Sequence, residues 1–157
     1  MKPLKLFIEL VPSTSWYNNL RKVLPKSEWD RIRKEAYRNA GLICEICGKG
    51  NTKLNCHEIW EYDDEKHIQK LKGFQALCTD CHWVKHIGLA GIMSMQGQLD
   101  FEKIVVHFME VNEVSKWDFE KHKKEAFEKW EERSKSEWKI DFGAYSQLLG
   151  KIKSLSS

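Results

Sequence analysis

Two cysteine pairs, Cys44-x-x-Cys47 and Cys78-x-x-Cys81, stand with 30 residues between them. No other feature restricts the folding of this chain so strongly. A CxxC turn reverses the backbone and presents two sulfurs to one ion, and two such turns supply the four thiolates of a tetrahedral zinc site. The second pair opens a helix whose free amides favour thiolate. The chain brings no apolar run near the roughly 20 residues of a membrane span. Its first twelve residues, MKPLKLFIELVP, are interrupted by Lys5 and Glu9 and do not read as a signal peptide. The expected setting is therefore cytoplasmic, with no membrane partner, where five cysteines point to metal rather than disulfides. Cys56 is left over from the two pairs.

Around this frame the chain of 157 residues reads as one α+β domain. The 4–10 stretch alternates loosely and is expected as a strand. Ser27 is expected to cap a helix with Asp30 at the capping-box position, Trp29, Ile32, Ala36, Tyr37 and Ala40 on its apolar stripe, and Gly41 at its end. The 54–77 stretch reads as two strands around the acidic turn DDEK. Thr79 is expected to cap a short helix that Gly88 closes, and the glycine-punctuated 88–98 stretch is expected as loop. Asp100 caps a helix through Val111 with Phe101, Ile104, Val105 and Phe108 on one face. Ser115 and Asp118 form a capping box for a helix to about Trp138, with Phe127, Trp130 and Trp138 as its stripe. Residues beyond 151 read as a frayed tail.

A net charge of +3 permits nucleic acid as a partner without requiring it. The basic residues are concentrated locally: Arg31, Lys34 and Arg38 recur on one face of the first long helix, where they could track a phosphate backbone. His86 follows His82 by one helical turn, so the two share a face. His107 and His122 have no partner at metal spacing and read as structural.

Residues 29–88 resemble the HNH endonuclease family. The resemblance rests on Trp29, Ile32, Arg33 and Ala36 before the first cysteines, on the C-E-I-C-G turn, on a histidine at the end of a strand, and on L-C-x-x-C-H-x-x-K-H. It implies an HNH-type ββα-metal core over residues 27–90, flanked by an N-terminal helix and by a helical C-terminal extension over 100–150. It further implies hydrolysis of DNA phosphodiester bonds, leaving a 5′-phosphate. The four cysteines would hold a structural Zn²⁺. His82 falls on the family's metal-binding histidine, His57 on its general base and Cys56 on the acid or histidine before it. Mg²⁺ or another divalent ion would be the catalytic metal, with His86 as a further ligand and Lys85 on phosphate. The chain departs from the pattern twice. Cys56 is a soft ligand where the family has Asp or His, so a second register stays open, in which His57 is a metal ligand and Glu58 the base; the first is preferred. The family's middle Asn falls on Gly73, which leaves Glu61, Asp63 or His67 to hold the catalytic strand. Both departures keep alive an alternative, a catalytically inactive zinc module that binds nucleic acid or a protein partner.

Overall fold

The computed structural model describes residues 3–15 and 19–148. The frayed tail expected beyond residue 151 lies outside them. The chain folds as a mixed α+β structure around a long hairpin. Strand β1 (Leu54–Asp63) pairs antiparallel with β2 (Ile68–Cys78) across the expected acidic turn. Asp63 closes this turn by accepting the Glu65 and Lys66 backbone N–H groups at 3.1 and 2.9 Å. The register slips between Ile59 and Trp60, which leaves Lys72 unpaired opposite them. Gly73 sits at this bulge with φ +154°, a backbone conformation that a side chain at the position of the family's Asn would strain. A short strand β3 (Lys139–Asp141) joins the free edge of β2 in parallel.

Helices α1 (Leu20–Val23) and α2 (Lys26–Asn39) precede the hairpin. Pro25, rather than Ser27, is the N-cap of α2, and no side chain caps it. Proline pre-sets the backbone angle needed to enter a helix, so the start shifts towards it. Leu20, Leu24, Trp29 and Ile32 bury against Leu71, with Cys56, Trp60 and Phe74 packed at the margin. Behind the hairpin, α3 (Thr79–Lys85) begins where β2 ends and is capped by Cys78, not Thr79; the Cys81 N–H donates to Cys78 Sγ at 3.4 Å.

Glycine does not stop the helical run at residue 88. A further helix, α4 (Ile87–Met95), follows the break at His86. Ile87 and Ala90 are buried three residues apart, so packing outweighs the poor helix propensity of Gly88 and Gly91. Helix α5 (Phe101–Asn112) has its Asp100 cap and buries Ile104, Val105 and Phe108. Helix α6 (Lys116–Arg133) has the expected capping box but ends five residues before Trp138. Trp138 instead donates its indole N–H to the Arg133 carbonyl at 2.7 Å and packs on Tyr62 and His67 of the hairpin.

The 4–10 stretch forms no regular element, bends at Lys5 and Leu6, and joins no sheet. Its backbone is satisfied by helix side chains instead. Asn112 accepts from the Lys5 and Leu6 N–H groups at 2.8 and 3.0 Å and donates to the Leu6 carbonyl at 2.8 Å. The Ile8 N–H donates to His122 Nε2 at 2.9 Å, and the Trp130 indole donates to the Val11 carbonyl at 2.9 Å. Leu6 and Ile8 enter the main core beside Phe108 and Phe119. This segment is a strap sewn onto α5 and α6.

His122, stacked on Phe108, is held neutral chiefly by burial, against the pull of Glu125. Its folded pKa lies below that of the unfolded chain. Its contribution to stability is therefore present above the unfolded value of about 6.5 and is lost as pH falls below it. Replacing His122 by Ala strands the Ile8 donor and is expected to cost about 1–3 kcal/mol. His122→Gln, which keeps an acceptor, is expected to restore much of that and to flatten the loss of melting temperature between pH 8 and pH 5.

Candidate metal centres

The first CxxC pair lies in a knuckle after α2. The Cys44 N–H donates to the Lys49 carbonyl and the Gly48 N–H to the Cys44 carbonyl, both at 2.9 Å. Gly48 closes the turn at φ +79°, which only glycine adopts without strain. Glu45 ties the knuckle to β2, since its N–H donates to the Ala76 carbonyl at 2.9 Å and its carboxylate accepts the Ala76 N–H at 2.6 Å. The second pair lies at the junction of β2 and α3. All four sulfurs come within 4.8 Å of one another. The Cys47 and Cys78 sulfurs are 3.6 Å apart, close to the roughly 3.8 Å edge of a tetrahedron with zinc–sulfur bonds of about 2.3 Å. The cluster can thus hold a metal ion such as zinc.

The four thiols cannot all ionise unaided. Cys44 is pushed down to about 4, first because the Cys81 thiol donates to it. Cys81 is pushed up by the same contact, and burial raises Cys78 to about 11. A divalent cation removes this conflict. His107 Nε2 lies 3.1 Å from Cys81 Sγ and can donate to that thiolate, which no sequence spacing indicated.

A second cluster adjoins α3. One ligand atom each from His57, His82 and His86 falls within 4.8 Å of the others. His57 comes from the middle of β1, His82 from the first turns of α3 and His86 from the break between α3 and α4. The ring centroids of His82 and His86 are 4.6 Å apart, and that of His57 is 5.6 and 5.3 Å from them. Burial lowers His82 to about 3 and His86 to about 4, with the neighbouring imidazoles pressing the same way. Both are neutral at pH 7, the state a metal needs. Three imidazoles with a fourth position free suit zinc or another first-row transition ion better than Mg²⁺, which prefers oxygen.

These rings line a cavity of about 530 Å³ together with Cys56, Glu58, Arg21 and Lys129. Glu58 accepts the Leu20 N–H at 3.4 Å. Burial pushes its carboxyl up to about 7 despite the α1 amides. Arg21 is exposed and makes no ion pair among the described residues. Cys56 stands outside the histidine cluster. It packs against the Trp29 side of the hairpin, where burial pushes its thiol up to about 12.

Lys85 does not face solvent, which corrects its expected contact with phosphate. It is 1% exposed, and its Nζ lies 2.9 Å from Glu9 Oε1 and 3.4 Å from the centroid of the Phe7 ring. Arg31 is paired with Glu28 at 2.9 Å, and Arg31, Lys34 and Arg38 are absent from the walls of the cavity that holds the histidines. The residues proposed to hold the catalytic strand do other work. Glu61 pairs with Lys72 at 3.7 Å, Asp63 closes the turn, and His67 packs on Trp138. His57 is held instead by Glu9, whose Oε2 lies 2.7 Å from His57 Nε2.

No known family, curated protein or solved structure matches this chain. Among the described residues, no helix is long and apolar enough to cross a membrane.

Proposed function

We propose that this chain is a metal-dependent endonuclease of the HNH type, acting on the phosphodiester bonds of DNA. A zinc ion in the four-cysteine site would be structural, and a second divalent ion would be held by His57, His82 and His86. The observation that carries the reading is the convergence of three imidazoles, from β1, α3 and the break after α3, on one cavity. The four-cysteine cluster anchors the start of that same helix, where Cys81 directly precedes His82. The reading adopts the register in which His57 is a ligand. His57 is 5% exposed and engaged by Glu9, which suits a fixed ligand better than a base that must reach water.

When bound, the ion supplies a Lewis acid for charge that develops on the phosphate. The chain itself supplies the rest. Glu58, a carboxylate that lines the same cavity, takes the proton from the attacking water. Arg21, at the mouth, is free to pair with a phosphate oxygen. Lys129, on the α6 side of the cavity, adds to the positive field that draws an anionic backbone in. Such binding should weaken steeply with salt and depend little on sequence.

The test uses supercoiled plasmid with Mg²⁺, Mn²⁺, Ni²⁺ or Zn²⁺, and compares the parent with His82→Ala and Glu58→Gln at equal structural zinc. We expect nicking with a transition ion, loss of nicking in His82→Ala, and a fall of about 10²–10⁴-fold in Glu58→Gln. A zinc-loaded, folded parent that cleaves with none of these ions would leave the alternative, a zinc module that binds nucleic acid or protein without catalysis.

A further inference from the structure

We propose that Glu9 is a positioning residue for the three-histidine ion site, and that the N-terminal strap and C-terminal helices exist in part to place it. The inference rests on reading that cluster as a metal centre. Ligating imidazoles commonly give their second ring nitrogen to a carboxylate, which fixes the ring's orientation and raises its basicity. Glu9 Oε2 holds His57 Nε2 at 2.7 Å, which leaves Nδ1 as the ring's other nitrogen. The carboxylate is itself held, because Oε1 accepts from the buried ammonium of Lys85 at 2.9 Å. Lys85 belongs to α3 and precedes His86 directly. Glu9 thus ties the strand ligand to the helix that carries His82 and runs into His86.

The strap's backbone contacts show why the carboxylate stays in place. On either side of Glu9, the Ile8 N–H is bonded to His122 and the Val11 carbonyl to Trp130, both on α6. Nearer the N-terminus, Asn112 of α5 holds Lys5 and Leu6 by three hydrogen bonds. The helices beyond residue 100, which lie outside the HNH-like stretch, therefore reach His57 through the strap's carboxylate.

The test is calorimetric titration of the full chain, its four-cysteine site already loaded with zinc, with Ni²⁺ alone. The parent should take up one further ion, and His82→Ala should not. Glu9→Gln is expected to bind Ni²⁺ about 10–100-fold more weakly with its zinc content unchanged. Glu9→Gln leaves Lys85 without its carboxylate, so Glu9→Gln/Lys85→Met is titrated beside it, as it removes both charges. A weakened affinity in this folded double variant, with a melting temperature near that of the parent, separates positioning from mere stability. Affinities within threefold of the parent in both variants would overturn the role of Glu9 alone. A parent that binds no ion beyond its zinc would overturn the metal centre and this role with it.

Discussion

Cys81→Ser is expected to abolish zinc binding at the four-cysteine cluster and to unfold the region around the hairpin and α3. Cys44, Cys78 and Cys81 are almost wholly buried, and with Leu77 and Val84 they form part of the main core. An ion held by these cysteines would join three pieces of chain inside that core: the knuckle after α2, the end of β2 and the start of α3. Structural zinc sites contribute on the order of 10 kcal/mol or more in apparent binding free energy near pH 7. The whole net stability of a domain is about 5–15 kcal/mol. Loss of the ion should thus remove most of the folded population. Far-ultraviolet circular dichroism on heating, with zinc measured in the same sample, checks this. A zinc-free variant that melts cooperatively within a few degrees of the parent would show that the cysteines are core residues and nothing more. His107→Ala should act in the same direction but far more weakly, since it removes one hydrogen bond to a sulfur and leaves the ligands in place.

The ease of reading this chain varied with the range over which its signals act. The cysteine pairs were legible because a CxxC turn is a local device with its chemistry in four residues. So were the Asp100 cap and the Ser115–Asp118 box, where a side chain meets an amide two or three residues away. The His82 and His86 pairing followed from helical spacing alone. Which face of β1 carries the site was not legible. That strand is half-buried along most of its length and shows no clean alternation, so His57 and Cys56 could not be told apart. The strap misled for a related reason: its apolar residues do enter the core, but its backbone bonds go to Asn112, His122 and Trp130, more than 100 residues away. Glu9 was invisible as a site residue because its partners, His57 and Lys85, are fixed only by that tertiary contact. Lys85 looked like a surface cation because lysine almost always is one.

The pair of Glu9 and Lys85 should show a strong asymmetry between its two halves. Lys85 is almost fully enclosed, whereas Glu9 is 25% exposed and also bonded to His57. Glu9→Gln leaves a buried ammonium without its counter-charge, and is expected to cost about 3 kcal/mol, near the low end for a broken buried pair. The Phe7 ring and the new amide oxygen still face the ammonium, which keeps the cost from rising further. Lys85→Met keeps the aliphatic stem, fills much of the same volume and leaves Glu9 a partner and some water; about 1–2 kcal/mol is expected. Glu9→Gln/Lys85→Met removes the buried charge altogether. Replacing a buried ion pair by apolar or neutral groups is often neutral or stabilising, so the double variant should fall within about 1 kcal/mol of the parent. Urea unfolding of the four proteins, all zinc-loaded, closes the cycle. A coupling energy of about 3–5 kcal/mol would mean that the pair is a matched unit, placed there at little net gain to the fold. Additive costs would mean that the ammonium finds enough compensation in Phe7 and its surroundings without Glu9. In the first case stability alone gives little reason for the pair, and what remains to explain it is the ring it holds, His57.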